Sequence, residues 1–277
     1  MSGKLFVVGT PIGNLGDFSP RAVQTLSEVD FIAAEDTIVT KKLLNHFEIK
    51  KPMVSYYEHN KASKSDHIIS RILDGENCAL VTDAGMPAIS DPGIDLVALC
   101  HEHNIEVVSV PGPSAIITAA AISGMDVSRF TFEGFLTMNK PKRREHLNDI
   151  VGERRTMIFY EAPHKLAATL KDFLEYLGDR KIALIKELTK IHENVELTTF
   201  SEAYEKYKDV KLKGEYVIII EGKKQEDVVF EEVDGIALAK KYLAEGMSIS
   251  EASKKAAKET GLKKGDIYKA LTEDKND

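Results

Sequence analysis

Short apolar runs and amphipathic stretches alternate over the first 124 residues. Residues 5–8, 31–34 and 78–81 are wholly apolar and four residues long, the pattern of strands buried on both faces. Residues 53–55 and 106–110 read as two further strands. Between them apolar side chains recur at helical spacing. Ala22, Val23, Leu26 and Val29 follow a Ser19-Pro20 helix start, Leu43, Leu44 and Phe47 share one side of 41–47, and Ile68, Ile69 and Ile72 mark a helix beginning at 67. Residues 94–103 and the small-residue stretch 114–122 are also helical. The polar segment 57–66 is expected as an exposed loop. Strand and helix in alternation predict a mostly parallel sheet covered on both faces.

A second α/β unit is expected over 125–222. Residues 130–135 alternate aromatic with polar or small residues, as a half-exposed strand does, and 138–144 reads as a basic loop. Strands are predicted at 156–160, 182–185 and 215–221. Between the first two, Leu166, Leu170, Phe173, Leu174 and Leu177 repeat with helical period. Residues 222–234 are charged and featureless, the composition of a linker. Beyond them, 235–277 predicts three short helices around Gly261, compatible with a helix-turn-helix unit.

The length of 277 residues and an apolar content of 43% suffice for real cores in one large or two ordinary domains. A formal charge of −7 argues against an indiscriminate nucleic-acid coat, though not against local basic patches. The first nine residues hold too short an apolar run for a signal peptide. Two cysteines, Cys78 and Cys100, fall in a strand and a helix and read as buried reduced thiols, so a cytoplasmic protein is expected. His101 and His103, two apart on a helix, do not share a face, and no metal site is expected.

Three loops carry the chemistry. Val8-Gly9-Thr10-Pro11-Ile12-Gly13-Asn14 follows the first strand, Thr82 to Gly93 follows the strand at 78–81, and Pro111-Gly112-Pro113-Ser114-Ala115 follows the strand at 106–110. Loops at the carboxyl ends of parallel strands are where open α/β sheets bind ligands. Asp83, Gly85, Ser90, Asp91 and Gly93 combine polar and flexible residues with two prolines. The three loops together are expected to form one pocket for a nucleotide-like cofactor. Read alone, each is also compatible with an ordinary turn, with Ser90, Asp91 or Ser114 as helix caps.

These loops, with Ala33-Ala34-Glu35-Asp36-Thr37, Phe132-Glu133-Gly134-Phe135-Leu136, Phe159-Tyr160-Glu161, Glu187-Leu188-Thr189-Lys190 and Lys213-Gly214-Glu215, run in order from Gly9 to Glu215. The series closely resembles the bacterial ribosomal RNA small subunit methyltransferase I family, of the tetrapyrrole-methylase-like class of S-adenosylmethionine enzymes. Met86 departs from it, standing where the family more often has Thr. The resemblance implies two α/β domains (1–124 and 125–222) enclosing S-adenosylmethionine in the cleft between them, plus the helical unit. It implies methylation of the ribose 2′-hydroxyl of a cytidine in the decoding region of 16S rRNA, and a homodimer. Carried over by motif, the cofactor would touch Pro11, Asp83, Ala84, Gly85, Met86, Ile89, Ser114, Ala115 and, from the second domain, Leu188.

Methyl transfer from a sulfonium requires in-line positioning and no metal, whereas a ribose hydroxyl benefits from a general base. Strand-end candidates are Glu35, Asp36, Glu161, Lys186 and Glu187. Glu35 and Asp36 stand first because their segment matches the family. For the RNA, Lys140, Lys142, Arg143 and Arg144, with Arg154 and Arg155, form one basic feature. The terminal helices form another through Lys254, Lys255, Lys263 and Lys264. Between Lys240 and Lys269 there are eight lysines against four carboxylates. The expected partner is 16S rRNA or the 30S subunit. A corrin or porphyrin methylase of the same fold, or a ribosome-assembly factor without turnover, are the alternative readings.

Overall fold

The computed structural model describes residues 2–224 and 235–273. The described residues fall into two compact units, one reaching Lys223 and one beginning at Lys224.

The first unit contains two five-stranded sheets. In the first, β1 (Lys4–Val8), β2 (Phe31–Ala34), β3 (Met53–Ser55), β4 (Cys78–Val81) and β5 (Glu106–Val110) lie in the order β3-β2-β4-β1-β5. Every pairing is parallel, as the apolar runs predict. Helices α1 (Pro20–Glu28), α2 (Thr37–His46), α3 (Lys61–Leu73) and α4 (Ile94–Glu102) join these strands. Odd and even strand positions feed different cores. Leu5, Phe31, Cys78 and Leu80 pack with Ile68, Ile72, Leu96 and Cys100, whereas Val8, Ile32, Ala34 and Val81 pack with Ala22, Leu26 and Leu44. Both cysteines are free and buried, and burial pushes both thiols up, Cys100 to about 11.

The second sheet holds β6 (Phe130–Phe135), β7 (Thr156–Glu161), β8 (Lys181–Lys186), β9 (Asn194–Thr199) and β10 (Tyr216–Ile220), in the order β6-β7-β10-β8-β9. Only β6–β7 is parallel. Helices α6 (Lys140–Asp149), α7 (Leu166–Leu177) and α8 (Phe200–Tyr207) cover the face built on Met157, Phe159, Leu184 and Ile218, with Phe173 and Phe200 packed into it from α7 and α8. The opposite face receives α5 (Ala115–Ile122), the helix that follows β5. Its Ile116, Ala119 and Ala120 pack on Ile158, Ala183, Ile185, Val217 and Ile219. The small side chains of α5 let the first half of the chain seat directly on the second sheet.

Four expectations change. The loop expected at 57–66 gives way to α3 from Lys61. Buried Ser65 turns inward toward the Tyr56 hydroxyl, and Lys61 pairs with Asp95 of α4. The basic loop at 138–144 is helical from Lys140. The Asn139 side chain accepts from the Lys142 amide, and Pro141 sits in the first turn, where its missing N–H is harmless. Strand β9 and helix α8 lie in a stretch where no element was expected. Finally, neither Ser90 nor Asp91 caps α4, whose N-cap is Gly93.

The second unit consists of α9 (Gly235–Ala244), α10 (Ile249–Thr260) and α11 (Lys264–Glu273) around Ala239, Tyr242, Ala252, Ala256, Ile267 and Leu271. A Ser248–Glu251 capping box opens α10 and left-handed Gly261 closes it. The expected linker lies, from residue 225 to 234, outside the described residues, as does 274–277 of the helical stretch. Among the described residues no helix is long and apolar enough to cross a membrane.

Candidate functional site

The three glycine loops meet, because β1 lies between β4 and β5. The loops after β1 and β4 are bridged backbone to backbone. The Thr10 amide donates to Gly85 O at 2.9 Å, the Gly85 amide donates to Thr10 O at 3.1 Å, and the buried Thr10 hydroxyl donates to Thr82 O. The loops after β1 and β5 pack still closer. A Cβ on Gly9 would lie 2.7 Å from Gly112 Cα, and one on Gly112 would lie 2.9 Å from Gly9 carbonyl carbon. Side chains at either position would wedge the loops apart.

Beside this junction lies a cavity of about 480 Å³. The first half of the chain supplies Ile12, Glu35, the Thr82–Met86 stretch, Ile89 to Asp91 and Ser114 to Ile116. The second sheet supplies Phe135, Tyr160 to Pro163, Ile185, Leu188 and Glu215 to Val217. The volume falls in the range of small-molecule sites.

Five carboxylates line it: Glu35, Asp83 and Asp91 from the first half of the chain, and Glu161 and Glu215, the latter paired with Lys190, from the second. Glu35 accepts hydrogen bonds from the Thr82 hydroxyl and, at 3.4 Å, the Asp83 amide. Burial, then the charge of Glu35, raises the Asp83 carboxyl above its ordinary range. The same two causes push Asp91 up to about 6. Burial and then the Asp91 charge push Tyr160 up to about 12, so its phenol stays protonated at neutral pH. Carboxylates crowded together and partly desolvated are relieved by a cationic ligand. Ser114 occupies the N-cap position of α5 without a side-chain capping bond, so its hydroxyl is left for the cavity. A sulfonium with an ammonium-bearing tail and a flat apolar ring system fits such walls. Among the described residues no group of three or more His, Cys, Asp or Glu is placed to hold a metal ion.

Asp83, Ala84, Gly85, Met86, Ser114, Ala115 and Leu188 line the cavity together, and Ile89, 60% exposed, stands at its rim. Pro11 is buried behind the wall and does not line it. The two acids at the end of β2 separate. Glu35 faces the cavity, but Asp36 is turned to the start of α2, where Oδ1 accepts from the Ile38 and Val39 amides. That corrects Asp36 as a proton acceptor: a helix cap holds its carboxylate. Glu161 is likewise committed, accepting from the Thr169 hydroxyl and its neighbour's amide, and Glu187 pairs with Lys190. Thr82 and Asp91, which lie in the loop expected to form the pocket, line the cavity, and so do Phe135, Tyr160 and Tyr216, which the sequence reading did not assign to it. Thr82, Tyr160 and Tyr216 stand at or just beyond strand ends, which is the signal that was available for them.

A second, wider groove of about 1160 Å³ runs between α6 and α7, lined by Met138, Lys140, Arg143, Arg144, Lys165 and Tyr176 and also by the carboxylates of Glu145, Asp149 and Asp172. Lys140, Lys142 and Arg144 are exposed. Arg143 is not available with them. Its guanidinium donates to Asp172 at 2.6 Å, to the Thr169 hydroxyl, and to the carbonyls of Leu136 and Thr137. It fastens α6 to α7, and its expected role toward RNA is withdrawn. Arg155 pairs with Glu153. In the helical unit Lys254, Lys255, Lys263 and Lys264 are all exposed, with the Lys255 ammonium 4.0 Å from the centre of the Tyr242 ring.

The sequence profile described as Tetrapyrrole (Corrin/Porphyrin) Methylases matches residues 4–204. A curated relative from Synechocystis, named Ribosomal RNA small subunit methyltransferase I, is 44% identical over 273 residues, covering 98% of each chain. A relative of the same name from Thermotoga maritima is 46% identical over 221 residues, 99% of its own length but 80% of this chain. Among solved structures, uroporphyrin-III C-methyltransferase from Thermus thermophilus complexed with S-adenyl homocysteine superposes with a TM-score of 0.57 at 16% identity. The match covers 79% of this chain and 97% of that one.

Proposed function

The chain belongs to the ribosomal RNA small subunit methyltransferase I family of the tetrapyrrole methylases, and from that membership we propose its reaction. It transfers a methyl group from S-adenosylmethionine to the ribose 2′-hydroxyl of a cytidine in the decoding region of 16S rRNA. The observation that carries this reading is the near-complete coverage of relatives bearing that name, at 44% identity in the first instance.

The residues present fit the cofactor. Asp83 to Met86, Ile89, Ser114, Ala115 and Leu188 would hold it, with Asp83 and Asp91 facing its positive charges. When bound, S-adenosylmethionine supplies an electrophilic methyl carbon that needs no further activation. The chain positions the acceptor in line, keeps water out, and takes up the hydroxyl proton. Glu35 is the carboxylate assigned to that proton: it lines the cavity and both hydrogen bonds it accepts fall on Oε2, whereas Asp36 does not line the cavity, Glu161 has both oxygens engaged, and Glu187 and Glu215 pair with Lys190. The Thr82 hydroxyl fixes Glu35 by donating to Oε2. Residues 1–124 and 125–222 act as the two walls of the cleft. Exposed Lys140, Lys142 and Arg144, together with the lysines of the helical unit, supply contacts to RNA phosphates. The helical unit adds affinity and no chemistry, in keeping with a relative whose full length corresponds to only 80% of this chain. The protein works in the cytoplasm on ribosomal substrates, as a homodimer.

The test is incubation of purified protein with labelled S-adenosylmethionine and, separately, 30S subunits, free 16S rRNA and a corrinoid. Label on RNA, recovered as 2′-O-methylcytidine after digestion, is expected. Label on the corrinoid alone, or 30S binding without label, would overturn the reading.

A further inference from the structure

Strand β6 contains an irregularity with a consequence for the substrate. Its pairing with β7 runs Phe132 to Ile158, then Gly134 to Phe159 and Phe135 to Tyr160, so Glu133 is an extra residue. Gly134 takes φ +67° with open space around it, the backbone such a bulge requires. In a regular strand Phe135 would share the face of Glu133, which reaches His146 of α6 at 3.0 Å. The extra residue reverses it. Phe135 instead joins the face of Phe132 and Tyr160, its ring 5.5 Å from that of Tyr160. There it lines the cofactor cavity while remaining 56% exposed.

Three residues later Met138, 64% exposed, begins the groove that continues along exposed Lys140 and Arg144, with Asp172 neutralised by Arg143 and with Glu145 and Asp149 also on its lining. Phe135 therefore stands between an acidic cavity that suits a cationic methyl donor and a groove whose exposed cations, Lys140 and Arg144, suit the phosphates of a nucleotide chain. An exposed aromatic face at that junction has one use for an RNA substrate: unpaired bases stack on aromatic rings with little regard to sequence. We propose that Phe135 is the stacking platform for the base of the nucleotide whose ribose is methylated, with the flanking phosphates directed into the groove edged by Lys140 and Arg144. The inference rests on the rRNA methyltransferase reading and adds the residue that presents the ribose. Stacking there would hold the 2′-hydroxyl at the cavity mouth, and the bulge is the device that turns the ring to that place.

Steady-state methylation of 30S subunits by the full-length protein tests it. Phe135→Leu keeps bulk and apolarity but removes the π face. Its KM for 30S subunits should rise about five- to a hundred-fold, the range of one lost base stack. Its KM for S-adenosylmethionine should change by less than about two-fold on the same footing, and Phe135→Tyr and Phe135→Trp should retain the parental KM for 30S. An unchanged 30S KM in Phe135→Leu, or a rise in the cofactor KM instead, overturns the proposal while label on RNA from the parent protein leaves the function standing. No label on RNA from the parent protein overturns both.

Discussion

The cavity walled by Glu35, Asp83 and Asp91 and the groove edged by Lys140 and Arg144 adjoin through residues 135–138, yet they hold their charges in opposite ways. The acids are partly desolvated and close to one another, so two of them are raised above the ordinary carboxylate range. Lys140 and Arg144 stand in solvent on the first turns of a helix. The difference follows from what each must bind. A small cation held in one orientation is best met by few, fixed, poorly hydrated charges, and a phosphate chain by exposed charges that release counterions. Arg143 shows the boundary between these uses. It sits in the basic run but is half-buried, and its bonds to Asp172 and Thr169 make it part of the frame.

The sharpest test of the acidic side is Glu35→Gln. If Glu35 takes the proton, kcat falls on the order of 10²-fold or more, with cofactor affinity reduced only a few-fold. The reverse pattern, read from kcat and from calorimetric binding of S-adenosylmethionine, would make Glu35 a charge partner of the cofactor and leave the cavity without a base.

On the basic side, Arg143 and Arg144 should separate. Arg143→Ala leaves Asp172 without its cation and is expected to destabilise the fold by about 3 kcal/mol, read as a lower denaturation midpoint. Arg144→Ala should leave the midpoint nearly unchanged. It should raise the RNA dissociation constant and reduce its salt slope by about one. Equal effects of both variants on RNA binding, with no loss of stability in either, would restore Arg143 to the RNA surface.

The smallest effect is one of pH. The Asp91 carboxyl is raised from its usual value to about 6 by burial and by Glu35. It binds its proton more tightly folded than unfolded, so the ligand-free protein becomes less stable as pH rises from about 4 through 6. Cofactor affinity should move the other way, weakening as pH falls through about 6 and Asp91 loses its charge. Asp91→Asn should flatten both profiles and stabilise the ligand-free protein at neutral pH by roughly 1–2 kcal/mol. Thermal melts and cofactor titrations between pH 5 and 8 would show whether the two trends oppose.

Much of this was legible in the chain itself. The wholly apolar runs at 5–8, 31–34 and 78–81 needed no context to be read as buried parallel strands, because burial on both faces removes the need for polar alternation. The glycine loops and their order carried the family, and most of the cofactor wall with it. The stretch 191–214 was not legible. Strand β9 is an edge strand whose exposed Val195 and Leu197 lie beside half-buried Glu196, so its pattern does not mark an inward face. Nor was α6, where Pro141 and four basic residues concealed a helix whose buried contact is Leu147.

Glu35 and Asp36 are adjacent acids at one strand end, and nothing local separates them. One faces the cavity and the other caps α2 because of where the backbone turns. Phe135 reads as the next residue of an alternating strand until the extra residue at Glu133 reverses its face. Periodicity and turn chemistry are properties of neighbours in sequence, so the chain alone determined the strands, the loops and the family. Which carboxylate lines the cavity, which arginine is bound and which aromatic ring meets the cavity depend on partners tens of residues away, Thr82 for Glu35, Asp172 for Arg143 and Tyr160 for Phe135. Only the pairing of β2 with β4, the packing of α6 on α7 and the bulged pairing of β6 with β7 decided them.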